Sequence, residues 1–281
     1  MSEKAEYLVI KGIRCYHPEE AYRFADYPAD GFILTDRLEK ESFWVRSRNR
    51  LLSEIIDTCS KDISNPKFLE VGGGTGEFLR NIIGNKNLQV TGSDIYYSAL
   101  SFAKKKLPDV EFIQFDVTKG GLNRKYDIIG AFDVLEHIDD DLSALGNIYE
   151  MLNYGGFLVV TVPQYKFLWS NIDKIVKHKR RYSRGELLQK LSQKGFSTNY
   201  CTSFLFFLFP LMFMTRIMDR RKKMNAKFIS TEFAGRVSFP RSLSWTFDKL
   251  MRVDEFLIRR RMRLPFGGSL LVVAQKGIRK T

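Results

Sequence analysis

The segment Phe68-Leu-Glu-Val-Gly-Gly-Gly-Thr-Gly-Glu-Phe78 holds the densest chemistry in this sequence. A short apolar run enters Gly72, Gly73, Gly74 and Gly76, and an amphipathic stretch follows, so a strand turns through bare backbone into a helix. A P-loop needs Gly-Lys-Ser/Thr, whereas this loop closes Gly76-Glu77. A dinucleotide fingerprint counted from Gly72 needs glycine at position 77, and Glu77 stands there too. A carboxylate at the start of that helix also sits where a pyrophosphate would bind. The loop is poorly suited to a phosphate ligand.

S-adenosylmethionine (SAM) carries an adenosine but no phosphate; its other groups are a sulfonium, an ammonium and one carboxylate. Glu70, just before the glycines, is placed to face the cationic amino-acid end. Asp94, beside Ile95, ends the next strand pattern, where a carboxylate can hold both ribose hydroxyls. Asp116 and Val117 follow the third strand pattern and suit the adenine amine and ring face. Asp133 ends the fourth, at the mouth where open α/β sheets do their chemistry. Each acid alone could be a solvated strand end or a helix cap; four at successive strand ends are a stronger signal.

Methyl transfer to an alcohol profits from a general base. His137 is the first candidate, with Glu136 orienting it, and His178 is the second. Arg46 or Arg50, on the helical stretch before the glycine loop, could pair with a ligand carboxylate through a bidentate guanidinium; Arg46 is assigned to the cofactor site on that ground.

The elements that must position these groups read as alternating strands and helices. Apolar residues at helical spacing predict a helix over Phe43–Thr58. Strands are predicted at Lys67–Val71, Leu88–Ser93, Val110–Phe115, Tyr126–Phe132 and Phe157–Val162, with helices at Glu77–Ile83, Tyr97–Leu107 and Asp140–Leu152 between them. Such alternation implies a mostly parallel sheet. After Pro163 come a basic, aromatic loop over Gln164–Ser183, a helix at Arg184–Lys194 and a strand near Phe196–Cys201. Residues 203–264 fit no further strand–helix unit and read as a helical insertion, with a second helical pattern near Trp245–Ile258. Gly268–Gln275 returns as a strand. Residues 1–40 read as an irregular N-terminal cap and 41–281 as the main domain, insertion included.

Residues 67–163 resemble the class I SAM-dependent methyltransferases, through LEVGGGTG, GSDI, QFDV, YDIIGAFDVLEHI and MLNYGGFLVVTVP. The flanks FWVRSRNRLL and LWSNIDKIVKHKRRYSRGELLQKL are similar to uncharacterised prokaryotic methyltransferases often associated with polysaccharide biosynthesis. The resemblance implies an α/β, Rossmann-like fold with a seven-stranded sheet whose last strand is antiparallel, SAM as cofactor, and S-adenosylhomocysteine as product. It specifies the acceptor far less well than the chemistry. The Glu136-His137 pair is also similar to one that binds a divalent metal in ubiquinone-pathway and small-RNA 2′-O-methyltransferases. Asp133, Glu136, His137 and His178 could form a comparable donor set, but their spacing is not diagnostic and no metal is assigned.

The chain has 281 residues and a net charge of +13, which favours anionic partners. Lys174, Lys177, Lys179, Arg180, Arg181 and Arg184 crowd the loop after the fifth strand, beside Trp169 and Tyr182, and suggest an anionic acceptor. The apolar run Phe204–Met214, followed by Arg220-Arg221-Lys222-Lys223, suits peripheral contact of residues 203–223 with an anionic membrane. That run is too short to span a bilayer and contains Pro210, so no transmembrane helix is expected. Cys15, Cys59 and Cys201 lack metal or disulfide spacing, and a cytoplasmic setting, with contact at the inner face of the membrane, is the expectation. A small-molecule, glycan or lipid-linked acceptor is favoured over RNA, and over a basic nucleic-acid-binding protein on a relic methyltransferase fold, because no RNA-binding motif is evident.

Overall fold

The computed structural model describes residues 7–23, 35–37, 39–84, 87–120, 122–220 and 241–277. Their strands form one sheet. β1 (Leu8–Ile10) and β2 (Ile13–Cys15) are followed by β3 (Lys67–Val71), β4 (Gln89–Asp94), β5 (Glu111–Gln114), β6 (Tyr126–Phe132), β7 (Leu152–Pro163), β8 (Phe196–Phe204) and β9 (Ser269–Lys276). Their order across the sheet is β1-β2-β5-β4-β3-β6-β7-β9-β8. The strands from β5 to β7 run parallel, and β9 lies antiparallel between β7 and β8.

The sheet has nine strands, where seven were expected. The two extra come from the stretch read as an irregular cap. Lys11 and Gly12, with φ of +46° and +80°, form the two-residue turn whose twist suits a tight hairpin. β2 then adds parallel to the edge of β5, pairing Arg14 with Ile113 and Cys15 with Gln114. Strands three residues long leave no alternation to read.

Helices α1 (Pro18–Arg23), α2 (Phe43–Ser60), α3 (Glu77–Ile82), α4 (Tyr97–Lys106), α5 (Asp141–Met151), α6 (Asn171–Ile175), α7 (Arg184–Gln193), α8 (Phe209–Arg220) and α9 (Arg241–Arg259) surround the sheet. Alternate side chains of β3 enter opposite layers: Phe68 packs with Leu52, Ile56 and Phe78, and Leu69 packs with Leu145, Ile148 and Leu158. Burying a leucine or isoleucine side chain such as Leu52 or Ile56 is worth about 2 kcal/mol. α2 begins where the Ser42 side chain accepts a hydrogen bond from the Val45 amide at 3.3 Å, and its buried stripe includes Val45, Leu52 and Ile56. α9 joins the α2 side through Phe247, Met251 and Ile258. Of residues 203–264, the first two close β8 and the described helices are α8 and α9; Arg221, Lys222 and Lys223 of the basic run lie outside the described residues. Among the described residues no helix is long and apolar enough to cross a membrane.

The chain runs outward from β3 through β4 to β5, then returns to β6 on the other side of β3. The C-terminal ends of β3 and β6 therefore flank the switch point where open α/β sheets form their crevice. The glycine loop and Asp133 both open onto it.

Candidate active site

The glycine loop is held from both sides. Gly73 donates its amide to the Ser93 carbonyl at 2.8 Å, and the Ser93 hydroxyl donates to the Glu70 carbonyl at 2.8 Å. Gly72, Gly74 and Gly76 have φ of +72°, +50° and +73°, a region other L-residues rarely adopt. A Cβ on Gly72 would lie 2.4 Å from Val134 Cγ2, so the loop packs directly on the turn after β6. A Cβ on Gly74 meets nothing within 4 Å, so bare backbone faces open space there. We expect Gly72→Ala to cost about 2–3 kcal/mol of stability from backbone strain and overpacking, measured by chemical denaturation; a change under 0.5 kcal/mol would contradict the packing described.

Two acids reach this loop. Asp94 accepts hydrogen bonds from the amides of Gly74 and Tyr96, both at 2.9 Å, and burial raises its pKa even so. Glu70 is buried, and its Oε2 has no hydrogen-bond partner among the described residues. Desolvation pushes its pKa up to about 8; Arg48 opposes the rise, while Glu39 and Asp94 add to it. An orphaned carboxylate beneath a bare-backbone turn suits a ligand ammonium, so the residues present fit SAM.

This yields a pH prediction. Between the ordinary glutamate value of 4.5 and about 8, the folded chain keeps a proton that the unfolded chain has lost. Stability from this group is therefore full below the lower value and is lost as pH rises through the upper one. An ammonium beside Glu70 favours the carboxylate, so SAM should bind with proton release. We expect affinity to rise on the order of tenfold from pH 6 to 7.5, and Glu70→Gln to flatten that slope. Calorimetry in buffers of different ionisation enthalpy measures the proton directly, and a flat wild-type profile would rule the linkage out.

Asp116 and Val117 lie beyond β5. The Asp116 carboxylate accepts from the amide and hydroxyl of Thr118 at 2.9 and 2.7 Å, its own amide donates to His17 Nδ1 at 3.0 Å, and Val117 is buried. Ile95 follows Asp94 and accepts from the Gln114 side chain through its carbonyl at 3.1 Å. Asp133 takes φ of +57°, and its Oδ2 accepts from Arg48 Nη1 at 2.6 Å.

The arginine that enters the site is thus Arg48, which also stacks on Trp44 at 4.8 Å. Arg46 is not brought in: it donates to the carbonyls of Lys40 and Glu41 at 3.2 and 2.8 Å. Arg50 is bound to Asp248 and Glu255. Helical spacing was the available signal, because Arg48 falls between Val45 and Leu52 on the inward stripe. Glu39 also went unread; the Thr75 hydroxyl donates to it, which ties residues before α2 to the glycine loop.

Beyond Asp133, Leu135–His137 forms a single 3₁₀ turn. Glu136 is fully buried, no other described residue donates to its carboxylate, and burial together with Asp133 raises its pKa well above the usual range. His178 lies close by because the segment after β7 is stitched to this turn. Lys179 donates its amide to the Glu136 carbonyl at 2.7 Å, and the Tyr182 hydroxyl lies 3.1 Å from the Leu135 carbonyl and 2.7 Å from Asp141. His178 Nε2 is 3.8 Å from Glu136 Oε1, and its Nδ1 is 2.9 Å from Asp173 Oδ1. The His137 and His178 rings meet edge to face with centroids 4.8 Å apart. Desolvation and His178 bring the His137 imidazole down to about 4.

Asp173 is a third residue that sequence reasoning passed over. Ser170-x-x-Asp173 is a capping box that starts α6, and the carboxylate also accepts from Arg181 Nε at 2.7 Å. Against the desolvation of burial, the His178 and Arg181 hydrogen bonds hold Asp173 well below the carboxylate range. The basic loop is consequently less free than its composition suggests. Arg181 is spent on Asp173, Arg180 and Lys179 pair with Asp141 and Asp139, and Arg184 donates to the Leu264 carbonyl.

The profile of the family described as "Methyltransferase domain" matches residues 44–202, more than half the chain. Malonyl-[acyl-carrier protein] O-methyltransferase 1 of Ilyobacter polytropus is 28% identical over 138 residues, covering 46% of this chain and 52% of that protein. Demethylmenaquinone methyltransferase of Chlorobaculum tepidum is 26% identical over 99 residues, covering 35% of this chain and 41% of that protein. The chain thus spans about half the length, or less, of these curated relatives. Among solved structures, Haemonchus contortus phosphoethanolamine N-methyltransferase 2 in complex with SAM superposes with a TM-score of 0.56 at 16% identity, over 90% of this chain and 58% of that one. An S-adenosylmethionine-dependent methyltransferase from Clostridium acetobutylicum gives 0.52 at 13% identity, over 81% and 92%. At such identities these two structures support the fold alone.

Proposed function

Because this chain belongs to the S-adenosylmethionine-dependent methyltransferases, we propose that it methylates an oxygen of a small-molecule, glycan or lipid-linked acceptor. The supporting observation is the buried Glu136 beside His178, just past Asp133 at the crevice. An amine or a stabilised carbanion needs little help to accept a methyl group, whereas an alcohol must shed a proton.

Bound SAM supplies a methyl carbon made electrophilic by the sulfonium charge. Glu70 faces the ammonium, Asp94 takes the ribose hydroxyls, and the Gly72–Gly76 backbone admits the ligand closely. Asp116 and Val117 line the adenine end. Arg48, anchored on Asp133, balances the acids of the crevice. His178, with Nδ1 held by Asp173, offers the Nε2 lone pair to an acceptor hydroxyl; His137 borders the same space and Glu136 stabilises the charge that results. Alignment of donor and acceptor by this frame can contribute roughly 7–11 kcal/mol.

The test is incubation of the protein and methyl-labelled SAM with host extract, organic–aqueous partition, and magnetic resonance of the labelled carbon. A methoxy product is expected. Label on nitrogen or carbon would overturn the oxygen acceptor, and nuclease-sensitive label would point to RNA. The binding protein on a relic fold is the less favoured reading, because Glu70, Asp94 and the glycine loop keep a geometry that fits SAM.

We extend the reading to an acceptor met at an anionic membrane. It is supported by the exposed Leu211, Met214 and Met218 of α8 and Trp245 and Phe256 of α9. Trp169, Lys174 and Arg220 line a surface recess of about 230 Å³ that suits an anionic acceptor group. Cosedimentation with phosphatidylserine vesicles but not with neutral ones is the expected result; equal recovery with both would remove the membrane from the proposal.

A further inference from the structure

Aromatic rings gather on the surface beside the segment that carries His178. Tyr165 and Phe167 follow β7 and stack with centroids 4.9 Å apart. From α8, Phe209 lies 6.2 Å from the Tyr165 ring and Phe213 lies 6.1 Å from Phe167. Phe266, just before β9, meets Phe209 at 5.2 Å. Phe167 is 51% exposed, and Phe213 and Phe266 are exposed too, so the rings form an open shelf rather than a core. Strained backbone holds it in place. Tyr165 has φ of +65°, which a bulky L-residue adopts only under constraint, and its amide donates to the Tyr182 carbonyl at 2.9 Å.

One end of the shelf is cationic. Arg220, at the end of α8, donates to the carbonyls of Phe167 and Trp169, so its guanidinium lies at the edge of the rings. With Lys174 it lines the recess of about 230 Å³. Neither pairs with a carboxylate among the described residues, whereas Lys179, Arg180 and Arg181 all do. A ligand that answers both parts has a negative head and a hydrocarbon chain. A sugar or nucleobase stacks on a free ring face, but Tyr165 and Phe167 turn theirs to each other at 22°, and Phe209 and Phe213 meet them at 72° and 74°. The Tyr165 hydroxyl is the polar group of these five rings, and it already donates to the Pro265 carbonyl at 3.5 Å. A second copy of the chain would set Lys174 and Arg220 against a molecule of like net charge, +13.

We propose that Tyr165, Phe167, Phe209, Phe213 and Phe266 bind the hydrocarbon chain of an anionic amphiphile whose phosphate-like head occupies the Trp169–Lys174–Arg220 recess. The rings share α8 with the exposed Leu211 and Met214, so a chain can pass from a bilayer to the shelf without crossing water. The recess lies on α6, whose Asp173 holds His178 Nδ1 at 2.9 Å, and this joins the site to the reacting end of the crevice. Its catalytic meaning rests on the membrane-borne oxygen acceptor, whereas binding itself needs no methyl transfer.

The experiment titrates the full chain by calorimetry with dodecyl phosphate below its micelle concentration, with inorganic phosphate and dodecyl maltoside as comparisons. One dodecyl phosphate per chain is expected, bound at least tenfold tighter than either comparison. The double variant Phe167→Ala, Phe213→Ala should weaken dodecyl phosphate by about tenfold and leave inorganic phosphate unchanged, whereas Lys174→Ala should weaken both. Trp245→Ala on α9 should leave these constants unchanged while lowering recovery on phosphatidylserine vesicles. S-adenosylhomocysteine affinity within about threefold of wild type reports an intact fold in each variant. Dodecyl phosphate that binds no tighter than either comparison, or that ignores the ring substitutions, would overturn the site and leave the oxygen acceptor standing. Self-association that the ring substitutions abolish would give the shelf to a second copy instead. Dodecyl phosphate binding as expected, with methylation of nitrogen or carbon alone in host extract, would keep the shelf and remove the oxygen acceptor.

Discussion

We expect His178→Ala to lower kcat by about a hundredfold to ten-thousandfold while S-adenosylhomocysteine affinity changes less than about threefold. The split follows from geography. His178 belongs to the segment after β7 and meets Glu136 at 3.8 Å, whereas Glu70 and Asp94, proposed to hold the cofactor, lie on β3 and β4. Loss of the imidazole removes the proposed proton acceptor. It also leaves Asp173 with Arg181 Nε at 2.7 Å and the Ser170 amide at 2.8 Å as its close partners. A modest drop in stability, about 1–3 kcal/mol, should accompany the kinetic defect. His178→Gln can keep a hydrogen bond to Asp173 and recover that stability without recovering turnover. Steady-state kinetics with thermal melts makes the comparison. A His178→Ala enzyme within threefold of wild type would remove this residue from the chemistry.

Asp94→Ala should weaken cofactor binding by on the order of a hundredfold. Each Asp94 oxygen already accepts one backbone amide at 2.9 Å, and each keeps a second lone pair. The carboxylate can therefore take two ribose hydroxyls without giving up its own anchors. Two charge-assisted hydrogen bonds at about 1.5 kcal/mol each account for the factor. Truncation also frees the Gly74 amide and loosens the turn that the ligand must approach. Asp94→Asn tests the charge, since its amide nitrogen would face a backbone donor on one side. Calorimetry with S-adenosylhomocysteine reads the constants. An affinity within fivefold of wild type in both variants would place the ribose elsewhere.

Much of the frame was visible in the residues. The glycine-rich turn, the apolar runs on either side of it and the acids after them follow from local chain physics, so β3, β4 and β6 appear where spacing put them. The N-terminal hairpin was hidden because three-residue strands carry no period, and its one local clue is Lys11-Gly12. The candidate site was legible where a side chain sits on its own strand at the glycine loop, as Glu70 and Asp94 do. It was not legible where partners are distant in sequence. Arg48 and Arg46 differ by half a helical turn, which composition ignores and the buried stripe decides. Asp173 looked like an ordinary helix start, and only the fold brings it against His178 and Arg181. The basic run after β7 read as free charge because its acids, Asp139, Asp141 and Asp173, lie on both sides of the strand that separates them.

The central position of β9 has a consequence for how the chain is made. β7 and β8 never touch as neighbours; β9 must slide between them, pairing Phe157 with Gln275 on one side and Phe196 with Lys276 on the other. A ribosome delivers β8 first and then the whole stretch from Phe204 to Ser269 before β9 begins. At about 5–20 residues per second, two open strand edges wait for roughly several seconds. During that interval the sheet ends at β7 and lacks only β9 and β8, with Val159 and Val160 of β7 still to be covered. Chaperone demand should peak there, and a slowly translated codon run before Ser269 should raise aggregation more than the same run placed anywhere after Lys276.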